Sequence, residues 1–64
     1  MIEIIGHEKK EIKIINREKL SKIYKDLSIN EGSFVAILNG NPATGDEIVE
    51  PGDKLVLLEV FSGG

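Results

Sequence analysis

Few residues in this 64-residue chain could do chemistry, and most of them stand in the wrong company. His7 is the sole histidine, and with no cysteine and no second imidazole it makes neither a metal site nor a charge-relay pair. Ser21, Ser28, Ser33 and Ser62 lack both the G-x-S-x-G elbow and an S-x-x-K context. Asp46, Glu47, Glu50 and Asp53 miss the alternating oxygen spacing of a calcium loop and read as solvated turn carboxylates. Asn39-Gly40-Asn41-Pro42 has no phosphate-loop pattern. One group is left, the carboxylate of Gly64 at the end of Phe61-Ser62-Gly63-Gly64. A C-terminal carboxylate can attack the α-phosphate of ATP, become an acyl adenylate and pass to sulfur or nitrogen. Glycine suits that use, because a backbone without Cβ threads a narrow channel and adopts positive φ freely. Extended, residues 61–64 reach roughly 13–14 Å past the last strand. That leaves a folded body docked outside an active site while the carboxylate sits within.

The rest of the chain has to hold that end out. At this length a domain buries only about 60% of the surface its unfolded chain exposes, so a deep catalytic cleft is excluded and a carrier, not an enzyme, is expected. Absence of cysteine removes disulfides, thiolate metals and iron–sulfur ligation together. No apolar run approaches the roughly 20 residues of a membrane span, and Met1-Ile2-Glu3-Ile4-Ile5 has no signal-peptide character, so a cytoplasmic location is expected. Residues 1–27 carry seven Lys/Arg against five Asp/Glu, whereas residues 28–64 carry Lys54 against six acids. The basic part has neither an arginine cluster nor interleaved aromatics, which argues against nucleic acid. The acidic half can steer the chain to a basic partner surface.

Residues 1–7 alternate around Ile2 and Ile4, and residues 11–15 around Ile12 and Ile14, predicting two strands joined by Glu8-Lys9-Lys10. Asn16 is placed as an N-cap, and Leu20, Ile23, Tyr24 and Leu27 fall on one face of a helix from about Arg17 to Leu27. Phe34-Val35-Ala36-Ile37-Leu38 is a continuous apolar run, predicting a buried strand. Asn39-Gly40 turns the chain, 41–46 reads as loop, and Ile48-Val49 is a short strand or loop. Pro51-Gly52-Asp53 forms a second turn before a last strand from Lys54 to Phe61. One helix with apolar first and last strands predicts an α+β fold, the ubiquitin-like β-grasp roll. Its mixed sheet has four to five strands, with the first and last parallel and the helix on one face. The whole, 1–64, is expected to be one domain with 62–64 as a flexible tail.

Phe34-Val35-Ala36-Ile37-Leu38-Asn39-Gly40 resembles the third strand and "VNG" turn of the ThiS/MoaD sulfur-carrier proteins. Glu50-Pro51-Gly52-Asp53-Lys54-Leu55 resembles their turn before the last strand, and Leu58-Glu59-Val60-Phe61-Ser62-Gly63-Gly64 their terminal strand and diglycine tail. The resemblance implies that an E1-like enzyme adenylates Gly64 with its own ATP, while the chain itself holds no cofactor. A sulfurtransferase then supplies sulfur to make a thiocarboxylate. That sulfur goes to thiamine thiazole through a thiazole synthase, to molybdopterin through the synthase large subunit, or to thiolated tRNA. Gly63 is the required tail glycine by the same resemblance, and archaeal relatives are also ligated through the tail to lysines of target proteins. The competing class is a β-grasp interaction module with an incidental diglycine. If Glu59 faces solvent, alternation puts Leu55, Leu57 and Phe61 beside it as an exposed docking patch, with Val56, Leu58 and Val60 in the core.

Overall fold

A computed structural model describes residues 1–60. Seven strands and one α-helix follow in the order β1 (Ile2–Ile5), β2 (Lys10–Ile12), β3 (Glu18–Lys19), α1 (Leu20–Asp26), β4 (Phe34–Leu38), β5 (Asn41–Ala43), β6 (Ile48–Val49) and β7 (Leu55–Glu59). The main sheet runs β2-β1-β7-β4-β5, and β3 pairs with β6 in a separate two-stranded ribbon. β1 and β7 are parallel, Ile2 opposite Leu55 through Ile5 opposite Leu58, and every other pair is antiparallel. This is the expected α+β β-grasp, a mixed five-stranded sheet with a single α-helix. No helix among the described residues is long and apolar enough to cross a membrane.

The core lies between the helix and one face of the sheet. Leu20, Ile23 and Tyr24 from α1 meet Ile2 and Ile4 of β1, Ala36 of β4, and Leu55 and Leu57 of β7. Ile14 and Val49 seal the flanks. The i, i+3, i+4 spacing therefore buried its stripe, and Leu27 packs half-buried at the end of it.

The helix begins later than the sequence predicts. Residues 18–19 are taken into the ribbon with Val49 and Ile48, and Asn16 caps nothing. The first helical amides find carbonyls on the distant loop instead, Leu20 N–H on Glu47 O at 2.9 Å and Ser21 N–H on Gly45 O at 2.8 Å. Those bonds satisfy orphan donors that a local side chain would otherwise have to meet. The helix stops in a Schellman pattern. Ser28 stands at φ 56°, Ser28 N–H bonds Lys25 O, and Ile29 N–H bonds Tyr24 O, both at 3.1 Å.

Residues 41–43, expected as loop, are an edge strand returning along β4. The two-residue turn between them has both φ values positive, Asn39 at 50° and Gly40 at 86°, the sign that matches the twist of a tight hairpin. β4 itself is covered on one side only. Ala36 is buried and Phe34 and Leu38 pack on the core, while Val35 stands 44% exposed.

Candidate functional site

β7 delivers the chain to the C-terminal residues, so its two ends define what lies near them and what does not. At its start, Asn39 closes a corner. Its amide N–H bonds Lys54 O at 2.8 Å, its side-chain oxygen accepts from Lys54 N–H at 2.9 Å, and its side-chain nitrogen donates to Asp53 at 3.1 Å. The Asp53 carboxylate also accepts the Glu50 amide at 2.8 Å, and the Met1 ammonium donates to Asp53 O at 2.7 Å. The Glu50 amide first, then the Asn39 side chain, hold the Asp53 carboxyl below its ordinary 3.8. The Asn-Gly and Gly-Asp turns that carry the family resemblance are thus bonded to each other. They sit about 13 Å along the strand from Glu59. Their work is architectural: they set the register in which β4 and β7 run.

At the other end, Val60 N–H bonds Ser33 O at 2.8 Å, the last hydrogen bond of the β4–β7 ladder among the described residues. Beside it, the Glu59 carboxylate accepts the His7 amide at 3.1 Å and lies 3.1 Å from His7 Nδ1. These contacts, the amide first, hold the Glu59 carboxyl below its ordinary 4.5. Gly6 makes the arrangement possible. A Cβ there would overlap the Glu59 carboxylate and sit 2.8 Å from Glu59 Cβ. The His7 side chain is 77% exposed.

The docking patch predicted from Leu55, Leu57 and Phe61 does not form as drawn. Leu55 and Leu57 are fully buried in the core. Glu59 does share their side of the strand, but it lies past the last core residue, where Gly6 leaves room for it and His7 partners it. Exposure of Glu59 therefore says nothing about residues 55 and 57. The exposed apolar face is the opposite one. Leu58 pairs with Ile5 on one side and Val35 on the other, so three aliphatic side chains lie abreast on the open sheet, with Val60 one step further on. Their exposures run from 37% for Leu58 to 50% for Val60, too much for core and too contiguous for scatter. Ala36, the small residue of the β4 run, is the sequence signal that could have placed this face, since it marks the side crowded by the helix. No local pattern points to Gly6 or Glu59. The predicted tail Phe61, Ser62, Gly63 and Gly64 lies outside the described residues. Among the described residues, no group of three His, Asp or Glu could hold a metal ion.

A helix packed on a mixed sheet whose last strand runs out parallel to its first, with an apolar open face beside the exit, defines a small ubiquitin-like β-grasp protein. The family model for small archaeal modifier protein 2 matches residues 1–61. This chain belongs to that family. It is also 31% identical over 64 residues to an uncharacterized protein of Archaeoglobus fulgidus, an alignment covering 98% of this chain and 94% of that relative.

Proposed function

We propose that this protein is a modifier whose Gly64 carboxylate is adenylated by an E1-like enzyme and then joined to lysines of target proteins. Membership of the small archaeal modifier protein family over residues 1–61 carries the reading. The chemistry asks little of the chain itself. A carboxylate has no leaving group an amine can displace; attack on the α-phosphate of ATP, bound by the partner, releases pyrophosphate and supplies AMP as that group. Lysine Nζ then attacks the acyl carbon, AMP departs with the bonding pair, and an isopeptide forms with loss of one proton. The protein acts as a carrier on which partner enzymes work. Its contribution is a docking surface and a slender end: the strip of Ile5, Val35, Leu58 and Val60 receives the activating enzyme, and Phe61 to Gly64 enter its active site.

The turn and strand motifs shared with ThiS/MoaD proteins favour a second use of the same adenylate. A persulfide sulfur on a sulfurtransferase attacks the acyl carbon, AMP departs with the bonding pair, and a thiol reductant cleaves the resulting acyl disulfide to leave a thiocarboxylate for thiazole synthase, molybdopterin synthase or tRNA thiolation. One experiment separates the two. The full chain is incubated with ATP, an E1-like enzyme of the source organism, a sulfur donor and a lysate, and products are read by intact mass and by mapping of branched peptides. Branches from Gly64 to lysine support the modifier. Exchange of one oxygen for sulfur without branches moves the assignment to sulfur carrier, and neither product overturns both. Extending the chain past Gly64 by one residue should abolish either outcome while leaving the fold intact.

A further inference from the structure

Four asparagines stand in the chain, and their neighbours differ. Asn16 precedes Arg17, Asn30 precedes Glu31, and Asn41 precedes Pro42, which has no amide hydrogen. Only Asn39 is followed by glycine. That pair carries a reaction of its own. The Gly40 amide nitrogen, once it gives up its proton, can attack Asn39 Cγ and close a five-membered succinimide. The Cγ–Nδ2 bond breaks, and the nitrogen leaves as ammonia with a proton taken from water. A second water opens the ring at either carbonyl, leaving aspartate or isoaspartate. No oxidant, reductant or enzyme is required. A side chain on the following residue would hinder the approach, and Gly40 has none.

Nothing in the packing shields this turn. A Cβ placed on Gly40 would meet no atom within 4 Å beyond its chain neighbours, and Asn39 itself is exposed. Hydrogen bonding is the restraint. Asn39 Oδ1 accepts the Lys54 amide at 2.9 Å, and Nδ2 donates to Asp53 Oδ1 at 3.1 Å. Chemistry fixes that orientation, since an amide N–H only donates and a carboxylate only accepts. Asn39 N–H on Lys54 O, at 2.8 Å, holds the backbone of the same residue. Ring closure needs the carboxamide to turn toward the Gly40 nitrogen, which parts it from Lys54 and Asp53 together.

We propose that Asn39 is a site of spontaneous deamidation held in check by its own corner, so that conversion proceeds only through openings that release Asn39 from Lys54 and Asp53. The product does not close the corner again. Aspartate at 39 replaces the Nδ2 donor by an oxygen facing Asp53 Oδ1, setting two acceptors of like charge within hydrogen-bonding distance. Isoaspartate also carries the main chain through the side-chain carbon. That lengthens a two-residue turn whose length sets the β4–β5 register. Deamidated chains therefore accumulate with a looser root to β7. Gly64 takes no part, so the proposal is independent of activation.

The test incubates the full chain at neutral and mildly alkaline pH, in buffer and in denaturing urea. Exchange of NH2 for OH is followed by intact mass and by peptide mapping. Conversion is expected at Asn39 before any other asparagine, and faster at the higher pH. It should run about tenfold or more slower in the folded chain, the factor set by opening two side-chain hydrogen bonds. Asp53→Ala, which removes the Nδ2 acceptor, should raise the folded rate several-fold and leave the rate in urea unchanged. Ile23→Val, a core change in the helix, should leave the folded rate slow. In urea melts Asn39→Asp should unfold at lower denaturant than wild type. Adding Asp53→Asn should restore part of that loss by returning a donor to the pair. The proposal is overturned if Asn39 survives in urea, or if folded and unfolded chains convert at the same rate. It is also overturned if Asp53→Ala and Ile23→Val accelerate conversion equally, or if Asn39→Asp melts like wild type.

Discussion

Leu55, where β7 begins, and Val60, just past its end, are five residues apart and are built to different purposes. At Leu55 the strand starts inside a mesh of hydrogen bonds joining Asn39, Glu50, Asp53, Lys54 and the chain's amino group, above a side chain with no exposure at all. At Val60 it ends on one ladder bond, one carboxylate resting on Gly6 and His7, and a strip of uncovered aliphatics. The first end spends its polar groups on each other. The second keeps apolar surface in water, on the face proposed above to receive the activating enzyme.

The largest effect should come from trading one face of β7 against the other. Leu57→Ala is expected to cost about 2–5 kcal/mol, because a fully buried leucine leaves a cavity. A chain of this size has only about 3–10 kcal/mol in total. Leu58→Ala, one residue on, should cost under about 1 kcal/mol. Urea melts of the pair check this, and equal losses would erase the distinction between the faces. Leu58→Asp should likewise fold, yet lose activation by the E1-like enzyme.

Next comes the corner. Asn39→Ala removes two side-chain hydrogen bonds and puts a Cβ residue without a compensating side chain at φ 50°, for an expected loss of about 1–3 kcal/mol. Asn39→Gly should recover the backbone part but not the hydrogen bonds. If Asn39→Ala melts like wild type, the corner does not anchor the strand.

At the far end, Gly6→Ala should cost about 1–3 kcal/mol, since the new methyl meets Glu59 Cβ as well as its carboxylate and the backbone there has to shift. The sharper reading is electrostatic. With its His7 contacts disturbed, the Glu59 carboxyl should titrate closer to 4.5, which side-chain carbonyl NMR measures directly.

The smallest effect is the pH dependence that both ends share. Asp53 and Glu59 have folded values pushed below 3.8 and 4.5, so each adds stability above those unfolded values. Each contribution is lost as pH falls through the lower folded value. From these two groups stability should decline below about pH 5 and stay level from there to about pH 9, with the Glu59 part missing in Glu59→Gln. A wild-type profile unchanged in that variant would detach Glu59 from the stability of the exit.

What the sequence determined by itself is whatever is written in local periodicity or in the sterics of one or two residues. The Leu20-Ile23-Tyr24 stripe needs only a 3.6-residue repeat to specify a one-sided helix, and Asn39-Gly40 needs only tolerance of positive φ to specify a hairpin. The β-grasp order and the parallel first and last strands followed from one helix lying between apolar runs. The side of β7 that faces the core was not legible, because Leu55-Val56-Leu57-Leu58 is apolar at both parities. Its one polar marker, Glu59, sits where a glycine just past β1 makes room for it. Residues 41–43 read as loop because proline argues against a strand, yet on an outer edge its missing donor costs nothing. The helix start was decided by carbonyls of Gly45 and Glu47, more than twenty residues away. In each case the deciding contact joins segments far apart in the chain, and only the closed fold brings them within hydrogen-bonding or van der Waals range.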